Sequence, residues 1–123
     1  MLLNDKTPEY WNLLASHDIE TVKILLRERG HPEIIIYHMH QAVEKLLKGR
    51  IIKVGVIFPY IHNIERLYKI LVEKDLSLQG LEEKIILLQS YFIDTRYPQA
   101  GLLNQEDLNR AKSVFDIIIA KLV

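Results

Sequence analysis

The sequence predicts an all-α protein: an up-and-down bundle of about five helices forming a single domain over residues 1–123. Three observations carry that expectation. Every long segment repeats its apolar residues at helical spacing. Recognisable caps and breakers separate these segments at short intervals. The one strand-like stretch, VGVIFPY (54–60), is short, holds a proline and has no partner of similar character, so it reads as a loop with buried anchors. A chain of 123 residues can bury a core of its own, and 49% hydrophobic residues is too many for a disordered chain.

The elements follow in order. Thr7 and Pro8 open the first helix as N-cap and first helical residue, and its stripe runs Trp11, Leu14, Ala15, Asp18, Val22, Leu25 until Gly30. Pro32 starts the second helix behind a weak cap, His31, with Ile35, Met39, Ala42, Val43 and Leu46 inward and an end near Lys53–Gly55. Asn63 caps the third, which turns Ile64, Leu67, Tyr68 and Leu71 inward, and Gly80 breaks the chain after it. The fourth carries Leu81, Ile85, Leu88 and Phe92 and is expected to end near Arg96, because Pro98 biases Tyr97 away from helical geometry. Asn104 with Asp107 is a near-miss of the capping box opening the fifth helix, whose stripe is Leu108, Ala111, Phe115, Ile118, Ile119, Leu122. The apolar arc of FDIIIAKLV exceeds what a small bundle covers, so a homodimer is expected.

Composition removes several function classes. Sixteen basic residues balance 16 acidic ones, so net charge gives no drive toward nucleic acid or membrane. Without cysteine there are no disulfides and no thiol chemistry. The opening MLLNDKTPEYW lacks the basic start and long apolar run of a signal peptide, and no stretch reaches a membrane span, which points to a cytoplasmic protein. The five histidines do not fall into zinc-ligand spacing: His38 and His40 are two apart, His17, His31 and His62 lie elsewhere, and there is no HExxH. No serine sits in a nucleophile turn and the glycines are too scattered to cradle phosphate. No catalytic residue, metal or cofactor is therefore assigned.

What remains is polar residues that a plain bundle does not need. Gln41, Lys45 and Lys48 fall at i, i+4 and i+7 and share one helical face. Asp18 interrupts an apolar stripe, and a buried carboxylate needs a cation, for which Lys45 and Arg96 are the natural partners; at the stripe's edge it would instead be solvated. Asp94 and Arg96 flank a proline-bent turn in YFIDTRYP. Arginine there suits bidentate phosphate binding, or equally the carbonyls and dipole of a helix end.

Three segments in order, HQAVEKLLKG (40–49), FPYIHNIERLYKIL (58–71) and YFIDTRYPQ (91–99), together with the opening WNLLASHDIETVKILL (11–26), resemble the HEPN domain, the higher eukaryotes and prokaryotes nucleotide-binding family. The resemblance covers nearly the whole chain. It implies a HEPN-like helical bundle that dimerises, a minimal nucleotidyltransferase as partner and a place in a toxin–antitoxin pair. One branch of that family cuts RNA with an Arg, four to six intervening residues and a His. Here Arg96 is followed by YPQAGLLN, so no His stands at the required place, and Arg27 precedes His31 by only three residues. The family's Thr-His-Asp before the third helix is Ile61-His62-Asn63 here, which keeps a cap and loses a carboxylate.

The resulting expectation is a non-catalytic module that binds a nucleotide, RNA or a nucleotidyltransferase partner. Gln41, Lys45, Lys48, His62, Arg96 and Tyr97 are the ligand-binding candidates, with Asp18, Glu44 and Asp94 in support. The rivals are a HEPN-type RNase with a non-standard site around Arg96 and His62, and a purely structural interaction module.

Overall fold

The computed structural model describes residues 7–92 and 102–123. They form five α-helices, α1 (Pro8–Arg27), α2 (Pro32–Lys53), α3 (Ile64–Val72), α4 (Glu82–Ser90) and α5 (Gln105–Leu122), with a short 3-10 turn at Leu76–Leu78. No strand occurs among the described residues, and VGVIFPY is irregular as expected. The protein is an all-helical bundle.

The starts are set by the chemistry read from the sequence. Thr7 accepts a hydrogen bond from the Tyr10 amide, and Pro8 occupies the position where its missing N–H costs nothing. His31 precedes Pro32 without a side-chain cap bond. Asn63 accepts from the Arg66 amide. The start of α5 is stronger than expected: Asn104 accepts from the Asp107 amide and Asp107 accepts from the Asn104 amide, both at 2.9 Å, so the shorter carboxylate completes the capping box.

The fourth helix departs from expectation. It ends at Ser90 rather than near Arg96. Phe92 leaves the helical path to stack on Tyr37 (6.2 Å) and to lie against His40 (4.2 Å), so packing against α2 ends the helix before the proline can. Asp94, Arg96 and Tyr97 lie outside the described residues, and so does the expected turn around Pro98.

Helix α2 is the axis of the bundle. It packs against α1 along its length and also meets α3, α4 and α5. Residues buried on several sides of it, Ile35, Ile36, Met39, Ala42, Val43, Leu46, Leu47 and Ile51, join Leu67, Leu71, Ile85, Leu88, Phe115 and Ile118 in one core cluster. Gly49 allows α1 to approach: a Cβ there would lie 3.2 Å from Trp11 Cβ and from Asn12 Oδ1. Arg50 ties the far end of α2 to α5 by donating to the Leu122 carbonyl at 2.8 Å, where a cation also suits the helix dipole. Tyr68 donates to the Leu78 carbonyl at 2.7 Å and so fixes the short turn between α3 and α4.

Candidate functional site

A helix buried on most sides should be apolar, yet α2 also buries His40, Glu44 and Lys48. Each is matched by a partner, and the partners define three polar clusters along the helix.

The first joins α2 to α1. Asp18 keeps only 10% of its side chain exposed; Lys45 donates to one carboxylate oxygen at 2.5 Å and His38 Nδ1 to the other at 3.0 Å. Asp18 is therefore buried and paired with Lys45, the first of its two expected partners. His38 stands about two turns before Lys45 on the same helix, 28% exposed, and its Nε2 has no hydrogen-bond partner among the described residues.

The second lies toward the loop between α2 and α3. Glu44 is 4% exposed and accepts from Lys48 at 2.9 Å and from His62 Nδ1 at 3.2 Å. Lys48 is itself buried, its ammonium 5.3 Å from the ring centres of both Trp11 and Phe58. His62, with 74% of its side chain exposed, faces outward, with Nδ1 held by the carboxylate.

The third is the most enclosed. Gln89 Oε1 accepts from the Ile64 amide at 2.9 Å, which fixes the orientation of the side-chain amide. The same oxygen lies 2.8 Å from His40 Nε2, so that nitrogen carries the proton. His40 Nδ1 is then a buried acceptor without a donor among the described residues. Burial holds the imidazole below its ordinary pKa, partly offset by the bond to Gln89 and the nearby Glu44 carboxylate.

This arrangement corrects the row Gln41, Lys45, Lys48. The three do not form one open cationic face. Lys45 turns to the Asp18 carboxylate across the α1–α2 seam, while Lys48 sinks under the aromatic rings to neutralise Glu44. Gln41 stays half-buried between the clusters and makes no side-chain hydrogen bond with a described residue. From sequence, His38 and His40 were weighed only as metal ligands and set aside, and Gln89 was not singled out. His40 and Gln89 are 49 residues apart, so local pattern cannot join them, whereas Glu44–Lys48 is an i,i+4 pair that was there to be read.

The HEPN domain family matches residues 8–123. This chain belongs to the HEPN family. Among curated proteins, the HEPN chain is similar to one named "Putative toxin MJ1304" from Methanocaldococcus jannaschii, with 32% identity over 91 residues; the match covers 69% of this chain and 59% of that protein. No solved structure matches it. No helix among its described residues is long and apolar enough to cross a membrane.

Proposed function

We propose that this HEPN protein is one half of a toxin–antitoxin-type pair and binds RNA without cutting it, through the outer edge of α2 and the start of α3. One observation carries the reading. Two histidines, the exposed His62 and the partly buried His38, have Nδ1 tied to a buried carboxylate, and each carboxylate is balanced by a lysine. Desolvating two lysine–carboxylate pairs is costly, and apolar residues of similar volume often serve a core as well or better. A bundle that needed only stability has no use for them. As supports for two outward-facing imidazoles they have one, since each Nε2 is presented at a fixed place to a phosphate or sugar oxygen. Gln41 supplies a further donor and acceptor between the two.

The relative named as a toxin supports the toxin–antitoxin setting. A minimal nucleotidyltransferase remains the proposed protein partner, and a second copy of the chain the proposed assembly. For the latter, Ile117 on α5 is 45% exposed and Val123 is 77% exposed, apolar surface that a second copy would cover.

The second reading is cleavage. Glu44 and His62 form a carboxylate–imidazole pair at 3.2 Å, an arrangement that also serves general acid–base chemistry. The test measures both outcomes on one RNA: filter binding for affinity and a denaturing gel for products. Retention that weakens with salt, reduced in His38→Ala and His62→Ala with the strand intact, supports the proposal. Cleavage by the wild type that disappears in His62→Ala replaces it with the nuclease reading. Absence both of retention at any salt concentration and of products on the gel refutes both readings.

A further inference from the structure

The polar clusters explain how oxygen atoms of RNA would be met, and aromatic side chains stand beside them. Trp11, Phe58 and Tyr60 form a continuous edge-to-face series, with ring centres 5.7 Å apart from Trp11 to Phe58 and 6.5 Å from Phe58 to Tyr60. They line a cavity of about 510 Å³ together with Ile52, Val56 and Ile57. Tyr60 and Ile57 are 93% and 94% exposed, values far outside those of core residues. We infer that this aromatic cavity, at the loop between α2 and α3, is a stacking site for a base of single-stranded RNA; the inference rests on the RNA-binding reading above.

Three aromatic rings separate this cavity from the others among the described residues; the cavity beside Arg50 and Lys53 also lacks Asp and Glu but has no ring in its lining. No carboxylate lines it, and Lys48 lies beneath its Trp11 and Phe58 rings. Exposed Lys53 on the last turn of α2 and exposed Arg66 at the start of α3 flank the loop, and neither forms an ion pair with a described residue. By contrast, the cavity between α3 and α4 is lined by Glu73, Glu82 and Glu83, which would repel a phosphate chain. A cation-flanked aromatic surface is the arrangement that binds single strands: rings take the base faces while basic groups follow the backbone.

Openness decides between a strand and a free nucleotide. Small-ligand sites enclose most of the ligand surface, whereas two walls of this cavity are almost wholly in solvent. A base held here would remain connected on both sides. His62 lies two residues beyond Tyr60 in the same loop, with 74% of its side chain exposed.

The chain's single tryptophan lies in the cavity, so its fluorescence reports on this site alone. The experiment titrates the full chain with a short oligoadenylate, following Trp11 emission and, separately, the anisotropy of a labelled copy of the oligonucleotide. Binding accompanied by Trp11 quenching, weakened at least about fivefold by Tyr60→Ala and restored by Tyr60→Phe, is the expected result. Because Tyr60 is almost fully exposed, its replacement leaves the fold intact, which circular dichroism checks. Unquenched binding with the same affinity in Tyr60→Ala overturns the stacking site and leaves the RNA-binding reading standing. Quenching by AMP at the same concentrations overturns the choice of a strand. Absence of any anisotropy change overturns the RNA-binding reading, and the stacking site falls with it.

Discussion

Removing Asp18 is the sharpest test of how the α1–α2 seam is held. Its side chain is 10% exposed and that of Lys45 is 22% exposed, so the pair lies between two limits. An exposed pair contributes about 0–1 kcal/mol, while stripping one partner from a buried pair costs about 3–5 kcal/mol. In Asp18→Ala the Lys45 ammonium keeps its opening to water and partly rehydrates, which places the loss at about 2–3 kcal/mol. In Lys45→Ala the more enclosed carboxylate is left with His38 alone, so the loss rises to about 3–4 kcal/mol near neutral pH. Urea denaturation at fixed protein concentration measures both variants and the double mutant. With a slope of about 1.5 kcal/mol per molar, Asp18→Ala lowers the midpoint by about 1.3–2 M. The double mutant should lose about 1–2 kcal/mol less than the sum of the singles. A loss under about 0.5 kcal/mol, or strict additivity, would mean that Asp18 behaves as a solvated carboxylate and that the burial argument is wrong.

The remaining expectations concern the other clusters and the caps. Lys48→Met keeps the stem between Trp11 and Phe58 but strands Glu44; a loss of about 3–5 kcal/mol, largely recovered on adding Glu44→Gln, is expected in the same urea assay, and a neutral Lys48→Met would contradict the pairing. His40 has its pKa lowered from the ordinary 6.5 by burial, so the unfolded chain binds a proton that the folded chain rejects. Stability is therefore whole above pH 6.5 and falls as pH drops from 6.5 toward the lower folded-state pKa; unfolding free energies from pH 7.5 to pH 5 in wild type and His40→Gln should differ in slope over that window, and parallel profiles would remove His40 as the cause. Asn104→Ala breaks the capping box of α5 and should cost about 1 kcal/mol, against a few tenths for Asn104→Gly, by thermal or urea unfolding.

Legibility followed the range of the interactions. Thr7, Asn63 and Asn104 mark helix starts through bonds that span three residues, and Pro8 and Pro32 through their fixed backbone angle, so they were readable without a structure. Asp18 was readable too, because one carboxylate in an apolar stripe poses a problem that only a partner solves. The faces of α2 were not. A helix buried on most of its circumference has no polar side for periodicity to find, so Lys48 looked like part of an exposed row when it is buried against Glu44 and two rings. The α4 end failed for another reason: Pro98 gave a limit, while the stop comes earlier, where Phe92 finds His40 and Tyr37 on a helix distant in sequence.

The central claim is that the outward imidazoles anchored on α2 bind RNA and leave it whole, and the direct measurement is the fate of a 5′-labelled single strand incubated with the full chain. Binding and integrity are read on the same samples at low and moderate salt, for wild type and His62→Ala. The account predicts retention of an intact strand, weaker at higher salt as phosphate contacts lose their counterion-release advantage, and weaker again in His62→Ala. Shortened products that vanish in His62→Ala, or a strand that is never retained, would contradict it.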